Sequence, residues 1–184
     1  MTTYVALLRG INVGGNKKIA MADLRGLLSG LGHTGVRTLL QSGNAVFASD
    51  KPSPERLSAG IEAAIADAFG MAVKVLIRTG PQLRAVVDGN PFADKATNPS
   101  RLLVTFLSGP PDPARFADVD PEDYLPDEYA LGDREVYQWL PAGILSTRLD
   151  QKFWDRRLRP AVTTTRNWNT LTKLLALLAG GSAA

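Results

Sequence analysis

The residues best suited to chemistry lie in one short stretch, Arg9 to Lys18, "RGINVGGNKK". Gly10, Gly14 and Gly15 allow the backbone to curl so that successive N–H groups converge on a negative charge, forming an anion nest. Arg9, Lys17 and Lys18 stand beside it as cationic donors, and Asn12 lies between the glycines. A Walker A loop reads G-x-x-x-x-G-K-[ST] and runs straight into a helix. Gly10 and Gly15 have that separation, but Asn16 occupies the Lys position and no Ser or Thr follows. The next helix is expected only near Met21, so its amides do not close the loop, and no G-x-G-x-x-G is present. Nucleotide hydrolysis is therefore not the expected chemistry, whereas capture of an anion is.

Two further stretches carry polar side chains. "QSGN" (41–44) offers Gln41, Ser42 and Asn44 around a turn glycine, either as part of a ligand rim or as bonds to the turn's own backbone. "TTTRNWNT" (163–170) places Arg166, Asn167, Trp168, Asn169 and Thr170 at the start of a helix. Asn167 or Asn169 can cap that helix, whose N-terminus attracts negative charge. The alternative there is a cap, a packed Trp and an Arg bonded to carbonyls.

Other chemistries are poorly supplied. With one histidine, His33, and no cysteine, a transition-metal site or a thiolate nucleophile is not expected. The acidic run at 118–128 lacks EF-hand spacing and reads as a connecting loop. "QSGN" is not the G-x-S-x-G elbow of a serine hydrolase. His33 follows a helix end, where a positive charge is favourable, and no catalytic role is assigned to it. An RNA-recognition sheet needs stacked aromatics, but "NAVFAS" (44–49) holds only Phe47. Nucleic acid would have to be held through phosphates by Arg148, Lys152, Arg156, Arg157, Arg159, Arg166 and Lys173, the first three at i, i+4 and i+8 of a helix expected over 147–158, unless that stripe is an ordinary solvated face.

Apolar periodicity sets the elements that must position these residues. Strands are expected at 3–9, 36–40, 44–49, 72–78, 101–107, 128–131, 134–140 and 161–165. Leu24, Leu27, Leu28 and Leu31 give a one-faced helix ended by Gly32. A second opens on Ser53-Pro54 and buries Leu57, Ile61, Ala64, Ile65 and Ala68. Short helices follow at 81–89 and from Asp112-Pro113, and Leu171, Leu174, Leu175 and Leu178 mark the last one. This order predicts an α+β chain of two tandem ferredoxin-like (βαββαβ) subdomains, each with an additional helix. The first spans 1–90, a linker 91–100, and the second 101–184 with the C-terminal helix. In such a unit the exit of the first strand and the turn between strands two and three share one sheet end, which puts 10–18 beside 41–44. The final helix starts at the opposite end of its own sheet, so 166–170 joins them in one cleft only if the subdomains pack in a two-fold-like manner.

Charge is unevenly spread along the 184 residues. Residues 1–50 carry five Lys/Arg against two Asp/Glu, 51–145 nine against fourteen, and 146–184 seven against two. Basic ends around an acidic middle either steer an anionic partner or complement each other within the fold. No run of eighteen apolar residues predicts a membrane span, and the N-terminus lacks the pattern of a secretory signal. A cytoplasmic protein without a cofactor is the expectation, its oligomeric state undetermined by the sequence.

Taken together, "LLRGINVGGNKKIAMADLRGLLSGLG", "TLLQSGNAVF", "NPF" (90–92) and "TTRNWNT" resemble an uncharacterised bacterial family, domain of unknown function 1697. The resemblance runs over nearly the whole chain and brings no activity with it. It implies a signature of polar and glycine positions: Arg9, Gly10, Asn12, Gly14, Gly15, Gln41, Ser42, Gly43, Asn44 and Arg166 to Thr170. This chain departs from the family in having Leu39 and His33 where aromatics are frequent. The reading that emerges is binding of a small anionic or phosphate-bearing ligand in a basic cleft. A nucleic-acid-binding module and a metal-independent enzyme are the alternatives.

Overall fold

Tyr4 to Leu8 are all buried although they alternate in direction, so the strand they belong to must be central and covered on both faces. This is β1 (Thr2–Leu8), which pairs antiparallel with β3 (Asn44–Ser49) on one side and β4 (Val75–Thr79) on the other. β2 (Thr34–Leu39) lies outside β3, giving the sheet order β2-β3-β1-β4. The computed structural model describes residues 1–15, 17–51 and 53–180. Among them the chain is α+β, with two four-stranded antiparallel sheets and five α-helices. It divides into one unit of Met1–Ala85 with the residues from Thr172 onward, and another of Val86–Leu171.

In the first unit, Tyr4, Ala6, Leu8, Ala45, Phe47, Val75 and Ile77 share the sheet face that packs on two helices. α1 (Met21–Gly30) contributes Leu24 and Leu28, and α2 (Pro54–Phe69) contributes Leu57, Ile61 and Ile65. Ser53 accepts the Arg56 N–H and Pro54 opens α2, as its sequence predicts, but the expected apolar stripe stops short, for Ala68 is exposed. α3 (Gly80–Asp88) follows β4 without a loop. β4 itself starts three residues later than its apolar run suggests.

The second unit has the sheet order β6-β7-β5-β8. β5 (Leu102–Leu107) lies between β7 (Glu135–Trp139) and β8 (Thr163–Asn167), and β6 (Glu128–Leu131) flanks β7. Where the first unit has α1, this one has two 3₁₀ turns, Pro113–Phe116 and Pro121–Tyr124. Asp112 and Asp120 cap them. The expected helix after Asp112 is thus a single tight turn, and the acidic connection holds another. α4 (Gln151–Leu158) buries Trp154 and Leu158 with Phe116, Leu149, Val136 and Leu107.

Three expectations are corrected here. α4 begins at Gln151, not 147, because the Asp150 carboxylate takes the Phe153 N–H at 2.9 Å and fixes the cap there. Arg148 is consequently outside the helix, over the Tyr124 ring at 5.2 Å, and the three-residue basic stripe does not form. β8 runs two residues further than expected, since Val104 pairs with Arg166 and Leu103 with Asn167. The last helix, α5 (Trp168–Leu178), passes from one unit into the other, and its residues from Thr172 group with the first. There Arg37 donates to the Leu177 carbonyl, and Leu178 reaches within 3.9 Å of where a Cβ on Gly80 would lie.

Candidate functional site

The loop leaving β1 is pinned at both ends by apolar anchors, since Ile11 and Ile19 are buried in the first unit's core. Between them the backbone must turn back on itself within a few residues. It does so by repeated left-handed conformations at Gly10 (φ 66°), Asn12 (φ 55°), Gly14 (φ 67°), Gly15 (φ 81°) and Lys17 (φ 46°). Asn tolerates this region better than other non-glycine residues, and Asn12 uses it to bind the loop together. Its backbone N–H donates to the Lys17 carbonyl at 2.9 Å, and its side-chain oxygen accepts the Ile19 N–H at 3.0 Å. Its amide nitrogen donates to the carbonyls of Ile19 at 2.9 Å and Gln41 at 2.6 Å. Asn12 therefore ties the loop to the β2–β3 turn.

The turn meets the loop from below. Leu8 N–H donates to the Gly43 carbonyl at 2.8 Å, and Gly43 (φ 83°) packs directly against Ile11. Asn44 is fully buried, donating to the Leu39 carbonyl at 2.9 Å and to Ser42 Oγ at 3.1 Å. Beside this junction lies a hollow of about 460 Å³ lined by Asn12, Gly15, Lys18, Ile19, Ala20 and Gln41. The structure thus brings four of the expected residues, from both segments, to one place. Lys18 and Gln41 are exposed and make no side-chain hydrogen bond or ion pair among the described residues, and the same holds for Arg9. Lys17 turns to the Ala72 carbonyl at 2.7 Å. Gly10 and Gly14 are exposed, Ser42 is half-buried, and Asn16 lies outside the described residues.

Residues 166–170 are more firmly engaged within the second unit. Arg166 is buried on β8 and donates from Nη1 to Thr164 Oγ1 and the Thr165 carbonyl, both at 2.8 Å. Burial pushes its guanidinium down to about 10, which leaves it charged at neutral pH. Asn167 caps α5, accepting from Thr170 N–H and Thr170 Oγ1 at 3.0 Å each. Trp168 N–H donates to the Pro99 carbonyl at 3.2 Å, Asn169 is exposed and Thr170 is buried.

A repeat of this arrangement is easily overlooked in the sequence. β4 ends in Arg78-Thr79 and α3 follows; β8 ends in Arg166-Asn167 and α5 follows. Arg78 pairs with Val5 as Arg166 pairs with Val104, and both arginines are buried. Thr79 accepts the Gln82 N–H while Gln82 accepts the Thr79 N–H, matching Asn167 and Thr170 at the same offset. The signal is an Arg followed by a capping residue at +1, its partner at +4 and a buried Leu at +5, in "RTGPQL" and "RNWNTL". Sheet position makes it visible.

His33 is buried and stacked on Phe47, ring centroids 4.5 Å apart. Burial lowers its pKa, with Lys51 adding to the effect. Among the described residues no group of three or more His, Asp or Glu is arranged to hold a metal ion. No helix there is long and apolar enough to cross a membrane.

No curated protein matches the chain. The solved structure of the conserved bacterial protein SP0830 from Streptococcus pneumoniae is similar to it at 22% identity, with a TM-score of 0.72. The likeness covers 96% of this chain and 98% of that one, and it is a likeness of fold. A family model described as "Protein of unknown function (DUF1697)" matches residues 1–137. That span includes the whole first sheet, the Arg9–Lys18 loop and the Gln41–Asn44 turn, and ends before "TTTRNWNT". The chain belongs to the DUF1697 family, proteins of unknown function.

Proposed function

We propose that this protein binds a small anionic, phosphate-bearing ligand in the hollow between the 9–19 loop and the β2–β3 turn. One observation carries the reading: Lys18 and Gln41 reach the same hollow from separate segments, and neither side chain has a hydrogen-bond or ion-pair partner among the described residues. The glycine backbone at Gly14 and Gly15, in left-handed conformations, is the part suited to act as a nest. Asn12 holds the wall rather than the ligand, because both ends of its amide are already taken. The reading takes the first unit as ferredoxin-like, a fold that sets the β1 exit and the β2–β3 turn at one sheet end. Arg9, with an unpaired guanidinium on the same loop, supplies longer-range attraction.

Thermal unfolding against phosphate, sulfate, nucleotides, sugar phosphates and short RNA and DNA, each at two salt concentrations, tests this. A ligand at a hundred times its dissociation constant stabilises by about 2.7 kcal/mol, which for a chain of this size is a shift of roughly 5–10 °C. The expected result is a salt-resistant shift with one small phosphate compound, lost in Lys18→Ala and reduced in Gln41→Ala. A shift produced only by RNA or DNA and falling steeply with salt would replace the proposal with phosphate-backbone binding. No shift with any compound would overturn it.

A further inference from the structure

We propose that the second unit carries a separate site for a phosphoryl group, in a hollow of about 350 Å³ between the exit of β5 and the α4–β8 connection. Its charged lining is Arg115, Arg157 and Arg159 against Asp112 alone, an excess of two positive charges. These arginines differ in how far the protein already uses them. Arg159 is exposed and has no partner among the described residues. The Arg115 guanidinium makes only long contacts, 3.4 Å to the Arg156 carbonyl and 3.9 Å to the Asp112 carboxylate. Arg157 is buried, with its Nη2 held at 3.2 Å from both Asp118 oxygens and its guanidinium over the Phe153 ring at 4.4 Å. Its Nε–H is buried with no hydrogen-bond partner. One cation is therefore fixed in place, one is loosely held and one is free, all on the same hollow.

The rest of the wall favours a prearranged site. Pro110, Pro111 and Pro160 line it and fix the backbone, lowering the ordering cost of binding. They offer no N–H, so recognition falls to the guanidinium forks, whose geometry matches phosphate oxygens. Leu158 and Ala161 leave room for a short apolar or sugar portion. The place also repeats that of the first hollow within its own sheet. Leu8 and Arg9 N–H donate to Gly43 and Lys74 carbonyls, and Leu107 and Ser108 N–H donate to Arg134 and Val162 carbonyls, all at 2.8–2.9 Å. A glycine stands near each strand exit, Gly10 (φ 66°) and Gly109. Each unit thus places a basic hollow at the exit of its central first strand, built from unrelated residues.

Titration of the whole protein with inorganic pyrophosphate, followed by the Arg Nε–H resonances and by calorimetry, tests the assignment. The Arg157 and Arg159 resonances should shift saturably, and should do so equally in Lys18→Ala. Arg159→Ala, an exposed change that leaves the fold intact, should weaken this binding about tenfold, the loss expected for one charge-assisted hydrogen bond. Arg115→Ala should weaken it to a lesser degree. Resonances that stay unmoved at millimolar pyrophosphate would overturn the proposal. So would shifts that disappear in Lys18→Ala, which would assign the binding to the first hollow instead.

Discussion

His33 shows how a single side chain's surroundings set its chemistry. Stacked on Phe47 and out of water, its imidazole is held below the ordinary value of 6.5, chiefly by burial and then by Lys51. The unfolded chain therefore binds the proton more tightly than the folded one. By linkage this stability is fully present above the unfolded pKa and is lost as pH falls through the lower folded value. His33→Phe keeps the stacked ring without the titrating group. Its unfolding free energy in urea should match the parent's within about 1 kcal/mol near neutral pH, and should lack the decline the parent shows between about pH 7 and pH 5. A variant that declines as steeply as the parent would assign the slope to another group. The sequence shows part of this, the place of His33 just past a helix end. That burial and Lys51 lower its pKa is not legible there, because Phe47 and Lys51 are brought to His33 only by the fold.

At the scale of elements, the loop and the turn are one assembly. A methyl group on Gly43 would lie 2.8 Å from Leu8 Cβ and from Ile11 Cγ1 and Cδ1, in a backbone conformation already adverse to side chains. Gly15 has nearly the same φ but open space around it. Gly43→Ala should then cost about 2–5 kcal/mol, from overpacking plus the left-handed conformation, and Gly15→Ala only about 1–2 kcal/mol. Equilibrium urea unfolding of both variants separates the two terms, and equal losses would show that packing beneath the turn contributes nothing. "QSGN" announces a turn glycine by composition alone. Its second duty depends on Ile11 folding under the turn, a long-range contact that no local pattern encodes. The same limit explains the displaced boundaries. β8 and α4 are set by pairing with β5 and by the Asp150 cap, whereas Ser53-Pro54 and the leucine stripe of α1 are local signals and mark their helices correctly.

For the whole molecule, the sequence invites a cut into consecutive pieces, and the contacts group the chain differently at its end. Two four-stranded sheets with their helices are legible from periodicity, because each apolar run is long enough to call. The allegiance of the last helix is not, since its leucines would suit any apolar surface. From Thr172 onward it groups with Met1–Ala85, where Leu174 and Leu177 are buried. A chain ending at Leu171 removes both of these, at about 1.5–3 kcal/mol each by burial alone, a large share of the 5–15 kcal/mol typical of a folded domain. Amide exchange should accordingly quicken throughout β1–β4 of the truncated chain, while β5 and β7, at the centre of the other sheet, keep most of their protection. Loss confined to β5–β8, or unchanged exchange in β1–β4, would contradict that grouping. The outcome also bears on ligand binding. The hollow at Gly15 stands on Ile11 and Ile19 in the core under α1 and α2, which this truncation leaves covalently whole. If the first sheet loosens and the phosphate binding proposed at Lys18 weakens with it, the site draws its rigidity from the sheet. If binding persists, the Asn12 bonds suffice to hold the loop in shape.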